Sequence, residues 1–176
     1  MKMGHTLVAR FQESDLKLIC DLIRNTVIEN CNKIPFGRDC DRTEADSMLP
    51  YHVTVAHWAK SEDEFCISRI KYLQAHPCMV WADTPSVMLA EENSVLLYFN
   101  IRPSKEFVDM AAEVDRLIPG HLSFFWHMTL NVSKDHDRIR EMAQRLKDTA
   151  AYPIPLHVTG LDLYHIWKPV KLVRSF

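Results

Sequence analysis

One order of secondary structure elements occurs twice along the chain and constrains the fold more than any other feature. Each half reads as strand, helix, strand, helix, strand, and the boundary falls near Glu91-Glu92-Asn93. The second strand of each half carries the same pattern of His, apolar, Thr, apolar, as HVTV at 52–55 and as HMTL at 127–130. This duplication predicts one domain over residues 1–176, with pseudo-repeats at about 1–92 and 93–176 and a cleft between them.

Apolar spacing and capping residues predict the individual elements. Leu16, Ile19, Cys20 and Ile23 recur at helical spacing, which indicates a helix from Ser14 to about Val27. A second helix opens at residues 61–64 with the spacing of a capping box and ends near 76–77, and others are expected at 104–118 and 135–149. Strands are expected at 6–11, 51–58, 95–101, 126–132 and from 154 onward. Residues 78–90 read as a strand pair or as one strand bent through Pro85. The fold class is therefore α+β.

Composition limits the partners and the compartment. The formal net charge is -2, so the chain lacks the excess of Lys and Arg that an extended duplex-binding surface needs, and any nucleic-acid substrate should be small or terminal. The five cysteines are odd in number and form no C-x-x-C pair, as expected of reduced cysteines in a cytosolic protein. No signal-peptide core or membrane-length apolar run occurs. We therefore predict a cytoplasmic location and no membrane partner.

The two H-x-T strands carry the candidate chemistry. Side chains alternate across a strand, so His52 and Thr54 project from one face, while Val53 and Val55 anchor the other face in the core. His127 and Thr129 repeat this arrangement in the second half. If the halves face each other, two imidazoles and two hydroxyls converge on one cavity.

This set of groups suits cleavage of a phosphodiester without metal. Displacement at phosphorus needs a base for the attacking hydroxyl and an acid for the departing oxygen, and histidine fills either role near neutral pH. Threonine hydroxyls can donate to the non-bridging oxygens. The sequence therefore predicts His52 and His127 as catalytic residues and Thr54 and Thr129 as phosphate-binding residues.

A third H-x-T, His157-Val158-Thr159, lies outside the repeated pattern. Nine histidines and eight threonines in 176 residues give roughly 0.4 such triplets by chance, whereas three occur. The third follows the second helix of its half, where neither repeat places its H-x-T, so we interpret it as coincidental. For the other two H-x-T triplets, the alternative without a function is that His and Thr face solvent on edge strands.

Two H-Φ-T-Φ strands 75 positions apart in duplicated halves resemble the two-histidine (2H) phosphoesterase superfamily, which includes 2'-5' RNA ligases and cyclic nucleotide phosphodiesterases. The resemblance implies two pseudo-symmetric βαβαβ-like lobes with mainly antiparallel sheets facing a central cleft, and no metal. It supports the same roles for the two histidines and two threonines, acting on a 2',3'-cyclic phosphate or a 2'-5' phosphodiester of a nucleotide or RNA end. RNA-ligase-like members often carry an arginine where this chain has Val132.

Other residues have weaker claims to the site. Arg38 and Arg42 lie in the aperiodic stretch 30–50, where a guanidinium could bind phosphate, although solvated loop charges are commoner. His57 falls on the opposite face from His52 by strand parity. Tyr51 and Trp126 immediately precede the motif histidines and are expected in the core.

Three functions remain open from the sequence. The first is a metal-independent 2H-type cyclic phosphodiesterase or 2'-5' RNA ligase-like hydrolase, a monomer without a cofactor. The second is a non-catalytic module that retains the pocket and binds a nucleotide or RNA end. The third is a metal-bound hydrolase, which the absence of H-E-x-x-H and of a cysteine cluster disfavours. Two intact H-x-T motifs favour the enzyme, because binding alone does not need two proton-transfer groups.

Overall fold

A computed structural model describes residues 3–26, 51–90, 93–166 and 171–176. The same order of elements occurs on both sides of residues 91–92. The strands are β1 (Met3–Phe11), β2 (Val53–Ala59), β3 (Cys78–Leu89), β4 (Val95–Pro103), β5 (His127–Ser133), β6 (Ile154–His165) and β7 (Lys171–Ser175). The helices are α1 (Glu13–Thr26), α2 (Asp63–Ile70), α3 (Lys105–Leu117) and α4 (His136–Thr149), and a 3₁₀ turn (Lys60–Glu62) precedes α2. The prediction of one domain stays a prediction for the chain as a whole.

The strands form one antiparallel sheet in the order β1-β2-β5-β4-β3-β6-β7. β1 also pairs with β6, which closes six strands into a barrel and leaves β7 as an extra strand on β6. The α+β class and the antiparallel pairing are thus confirmed. The halves of the sequence are interleaved in space, since β3 lies between β4 and β6 of the second half.

Helix boundaries follow from caps that the sequence displays. Ser104 accepts a hydrogen bond from the Phe107 N–H at 3.2 Å and opens α3, and Asp135 accepts one from the Arg138 N–H at 3.1 Å and opens α4. Both helices therefore agree with the predicted ranges to within one residue at each end. No helix in the described ranges is both long and apolar enough to cross a bilayer.

The second helix is shorter than predicted. α2 ends at Ile70 rather than near residue 76, because the Tyr72 N–H donates to Arg69 O and the Leu73 N–H to Ile70 O, three residues back. These tight turn bonds replace the helical ladder. The expected cap at Ser61 is also wrong: the Glu62 carboxylate accepts from the Ala59 N–H at 3.2 Å, through the 3₁₀ turn.

Residues 78–90 form one bent strand rather than a pair. β3 pairs with β4 along most of its length, and the register shifts between Ala82 and Pro85, where proline cannot donate a ladder hydrogen bond. The bend lets β3 pair with β6 through residues 78–82 and continue along β4 beyond Pro85.

The hydrophobic core lies between the helices and one face of the sheet. Val53, Val55, Met128 and Leu130 are all 0% exposed and belong to one apolar cluster that includes residues of α1, α3 and α4. Burying these apolar side chains at alternate positions fixes the register of both strands, because a slip of one residue would put them in solvent. The histidines and threonines between them must therefore lie on the other face.

Candidate active site

The two H-x-T strands meet in the sheet. Val53 of β2 pairs with Met128 of β5 in antiparallel register, and both are fully buried. In an antiparallel pair the partners step in opposite directions, so His52 lies across from Thr129 and Thr54 across from His127. The structure thus brings together the four residues that the sequence analysis selected.

The pair Val53–Met128 is a local twofold centre. Exchanging the two strands about it maps His52 onto His127 and Thr54 onto Thr129, which is the symmetry expected of the duplicated pattern. The histidines occupy diagonal positions, and diagonal neighbours on one face are roughly 7–8 Å apart. That separation leaves room for a phosphate between two imidazoles, with one hydroxyl beside each.

His57 does not follow simple strand parity. β1 and β2 pair as Leu7↔Ala56 and then as Val8↔Thr54, so Val55 is an extra residue in a β-bulge. Thr6 pairs with His57, and Thr6 and Val8 share a face of β1, so His57 lies on the face of Thr54. The sequence prediction put His57 on the opposite face and is wrong, because an unrecognised bulge reverses the alternation.

A backbone carbonyl orients His127. Its Nδ1 lies 3.1 Å from Phe125 O, and a carbonyl oxygen can only accept, so Nδ1 carries the proton. Nε2 then holds a lone pair in the neutral ring and a proton in the imidazolium. The Ser123 hydroxyl also donates to Phe125 O, at 3.1 Å. His127 can therefore accept or donate a proton through Nε2 without turning its ring.

Two aromatic side chains hold the same ring. Phe125 stacks on His127 with ring centroids 4.8 Å apart and an interplanar angle of 17°. Tyr98, which pairs with Thr129 from β4, meets His127 edge-on at 5.8 Å and Phe125 at 5.4 Å. These contacts restrict rotation about the His127 side-chain bonds.

The segment before β5 is fixed along the edge of β2. Leu122 bridges to Ala56, the Ser123 N–H donates to Val55 O at 2.9 Å, and the His57 N–H donates to His121 O at 3.1 Å. From this bridge to the Val53–Met128 pair, the segment before β5 runs from residue 122 to 128, whereas β2 runs only from 53 to 56. The three extra residues loop outward, and Phe124 is fully exposed there. The outward loop is what places Phe125 on His127.

His52 is half-buried and lies immediately before β2. Tyr51, which precedes it, is 3% exposed, and burial raises the pKa of its hydroxyl. The phenol stays protonated at neutral pH and serves the core, as predicted. Trp126, in the equivalent place before His127, packs against the core and meets Phe107 of α3 edge-on at 5.2 Å.

The third H-x-T has structural partners. The His157 backbone N–H and its Nδ1 lie 2.6 and 3.1 Å from the Asp15 carboxylate at the start of α1. Thr159 donates to Arg10 O at 3.2 Å, and the Arg10 guanidinium donates to Thr159 and Asp162. These residues join β6 to β1 and α1, apart from the strands that carry the other two motifs.

Other candidates are placed as follows. Arg38 and Arg42 lie outside the described residues. Val132 pairs with Leu96 of β4, so the position at which the resemblance calls for arginine is apolar here. Burial raises the pKa of the Cys66 and Cys78 thiols to about 11, which makes both poor nucleophiles at neutral pH. Within the described ranges, no three His, Cys, Asp or Glu side chains are grouped to hold a metal ion.

Two residues that adjoin the site, Asn100 and Phe125, are not among the candidates that the sequence indicates. Asn100 pairs directly with His127 from β4, and Phe125 supplies both the carbonyl and the ring that hold that histidine. Period-two spacing of Tyr98 and Asn100 on β4 was visible, but the identity of the neighbouring strand was not.

Known structures share this fold. E. coli LigT in complex with ATP matches with a TM-score of 0.54 and 12% sequence identity, covering 100% of this chain and 98% of LigT. LigT in complex with 3'-AMP gives 0.56 and 11%, with the same coverage. TT0787 of Thermus thermophilus gives 0.55 and 16%, covering 99% of this chain and 97% of that protein.

No protein-family model and no curated protein sequence matches the chain. At 9–16% identity the structural likeness shows the fold and no more. These matches confirm the fold that the resemblance to two-histidine phosphoesterases implied.

Proposed function

We propose that this chain, built on the LigT fold, is a metal-independent phosphoesterase acting on a 2',3'-cyclic phosphate or a 2'-5' phosphodiester of a nucleotide or RNA end. The observation that carries the proposal is the Val53–Met128 pair, which puts His52, Thr54, His127 and Thr129 on one face with the histidines diagonal. The LigT complexes with ATP and 3'-AMP support a nucleotide as the ligand class.

The chemistry follows from two imidazoles on either side of a phosphate. In hydrolysis of a cyclic phosphate, one neutral imidazole takes a proton from water as its oxygen attacks phosphorus. The bond from phosphorus to one ribose oxygen breaks, and the other imidazole, as imidazolium, gives that oxygen its proton. The products are a phosphomonoester and a free ribose hydroxyl, and the two histidines end with their protonation states exchanged.

Each threonine hydroxyl acts on the phosphate. Thr54 lies across from His127 and Thr129 across from His52, so each hydroxyl is beside the imidazole of the other strand. Donation to the non-bridging oxygens holds phosphorus on the line between the imidazoles and stabilises the charge of the transition state. The hydrogen bond from His127 Nδ1 to Phe125 O keeps Nε2 as the atom that faces the phosphate.

The proposal assigns the proton transfers to protein side chains and gives no role to a metal or another cofactor. In this proposal the threonine hydroxyls and the protonated histidine meet the charge of the phosphate. Arg38 and Arg42 are proposed as additional phosphate-binding residues, because a guanidinium donates a bidentate pair of hydrogen bonds to phosphate oxygens.

The test measures turnover in the absence of free metal. The protein is incubated in EDTA with 2',3'-cyclic nucleotides of all four bases and with 2'-5' dinucleotides, and the products are identified by chromatography. The matched control is the folded double variant His52→Ala/His127→Ala. Phosphomonoester products formed by the wild type alone support the proposal. Binding without turnover would instead indicate a non-catalytic nucleotide-binding module, and turnover restored only by zinc or manganese would indicate a metal-bound hydrolase.

A further inference from the structure

We call β1, β2 and β6 the first lobe of the sheet, and β3, β4 and β5 the second lobe. A row of three side chains crosses the second lobe beside His127. Asn100 of β4 pairs with His127, and the ladder continues because the Ile101 N–H donates to Trp126 O at 3.0 Å. Arg102, two residues past Asn100, therefore lies on the site face at the level of Phe125. Trp81 of β3 pairs with Arg102 from the other side. The row thus runs Phe125, Arg102, Trp81.

The positive charge of Arg102 makes only weak interactions with its described neighbours. Its guanidinium carbon lies 5.7 Å from the centre of the Trp81 ring, and its carboxylate contact in the described part of the chain is Asp83 at 3.6 Å. The Arg102 and Asp83 side chains are 56% and 37% exposed, and an ion pair in such solvent contact contributes little. The Trp81 ring contacts the guanidinium without neutralising its charge.

Among the described strands of the first lobe, the one lysine or arginine is Arg10. Arg10 lies on β1, two residues from Val8, and donates to the Asp162 carboxylate at 2.8 Å, to the Thr159 hydroxyl at 3.1 Å and to Phe176 O at 3.3 Å. The Asp162 side chain is 9% exposed, so Arg10 neutralises a buried charge. Among the described strands beside the motifs, the arginine suited to bind an anion is on the second lobe.

We propose that Phe125, Arg102 and Trp81 form a second subsite, which binds the nucleotide adjacent to the scissile phosphate of a single-stranded oligonucleotide. The guanidinium binds the phosphate of that nucleotide, and its base stacks on the aromatic row. This inference rests on the proposed function, and it adds that the substrate is an oligonucleotide end rather than a free cyclic mononucleotide.

The chemistry of the row matches this ligand. Single-stranded nucleotides are recognised by stacking on aromatic rings and on arginine planes, together with cationic contacts to the backbone. Arg102 is two residues along β4 from Asn100, the partner of His127, which is about 7 Å at the rise of a strand. A phosphate bound by Arg102 would therefore lie beside the scissile phosphate. One local cation also agrees with a chain of net charge -2, which cannot hold a long duplex.

The experiment compares kcat/KM for two substrates, a cyclic mononucleotide and a short oligonucleotide ending in the same cyclic phosphate. The variant is Arg102→Gln, and the matched control is Arg140→Gln, an exposed arginine of α4 with a 3.4 Å contact to Asp137. We expect the ratio of oligonucleotide to mononucleotide kcat/KM to fall about tenfold in Arg102→Gln, the loss of one charge-assisted hydrogen bond, and to be unchanged in Arg140→Gln.

A binding measurement makes the result independent of turnover. Oligonucleotide affinity of the His52→Ala/His127→Ala protein is measured against salt, with and without Arg102→Gln. Loss of one phosphate contact should reduce the slope of log K against log salt by about 0.7. An unchanged ratio and an unchanged slope, in a protein that does hydrolyse the mononucleotide, would overturn the subsite alone. Absence of turnover on both substrates would overturn the proposed function, while the salt slope would still decide the subsite.

Discussion

The two H-x-T strands present the same groups, but the strands beside them differ. In the first lobe β1 places Val8, 1% exposed, across from Thr54. In the second lobe β4 places Tyr98 across from Thr129 and Asn100 across from His127. One neighbour is apolar and buried, and the other is polar and aromatic. Among the described residues, the two lobes thus share the His and Thr groups of the motifs and differ in the strand beside them. Our proposals assign proton transfer to the shared groups and nucleotide recognition to β3 and β4.

The largest effects should come from the duplicated groups. We expect His52→Ala and His127→Ala each to lower turnover by about 10²–10⁴-fold, because in the proposed mechanism each histidine carries out one of the two proton transfers. The double variant should lose little beyond the worse single variant, since residues that act as a unit are not additive. Steady-state kinetics of the three proteins measures this, with circular dichroism as the control for folding. Near wild-type turnover in either folded single variant would break the symmetry of the lobes.

The pH dependence separates the roles of the two lobes. We expect a bell-shaped profile of kcat/KM centred near neutrality, falling about 10²-fold two pH units beyond each limb, because one imidazole must be neutral while the other is protonated. The residual activity of each His→Ala variant should keep only one limb. The limb that disappears identifies that histidine as base or acid. A flat profile from pH 5 to 9 would contradict paired histidine catalysis.

Replacing the two arginines of the site face, Arg10 and Arg102, should change the stability of the protein by different amounts. Arg10→Gln leaves the buried Asp162 carboxylate without its cation, so we expect the free energy of unfolding to fall by about 1–3 kcal/mol. Arg102→Gln removes an exposed charge and should change it by less than about 0.5 kcal/mol. Urea denaturation followed by circular dichroism measures both. Equal losses would mean that Arg102 is also a structural residue.

The smallest effects should come from the hydroxyls. Thr54→Ala and Thr129→Ala each remove a neutral hydrogen bond to phosphate worth roughly 0.5–1.5 kcal/mol, or up to about 3 where the acceptor is charged. The lower range corresponds to a loss of about 2- to 12-fold in kcat/KM. Thr→Ser is the matched control, because it keeps the hydroxyl. A loss confined to one lobe would show that the phosphate lies off the twofold centre.

Much of the fold could be read from local patterns. The helices at 104–118 and 135–149 are predicted to within a residue, because Ser104 and Asp135 are capping residues ahead of an apolar repeat. Two predictions from the sequence, the end of the second helix and the face of His57, are wrong. α2 ends early at a turn with no glycine or proline to announce it, and the bulge at Val55 moves His57 to the other face. The bulge depends on the pairing of β2 with β1, which is distant in sequence.

The candidate site divides in the same way. His52, Thr54, His127 and Thr129 can be selected from sequence, since alternation on a strand is a property of the backbone and the matching positions make chance improbable. Phe125 and Asn100 cannot, although both adjoin His127. A backbone carbonyl leaves no trace in the type of its residue, and a cross-strand neighbour is known only when the pairing is known.

The sequence by itself indicated most of the order of elements, the face of each motif strand and the type of chemistry that we propose, because all three follow from periodicity and from the side chains present. Tertiary structure alone decided that β2 meets β5, that β3 and β6 join the two halves, and that Arg102 shares the face of His127 while Arg10 is tied to Asp162. Strand pairing joins residues far apart in the chain, and its register depends on which apolar side chains fill the common core.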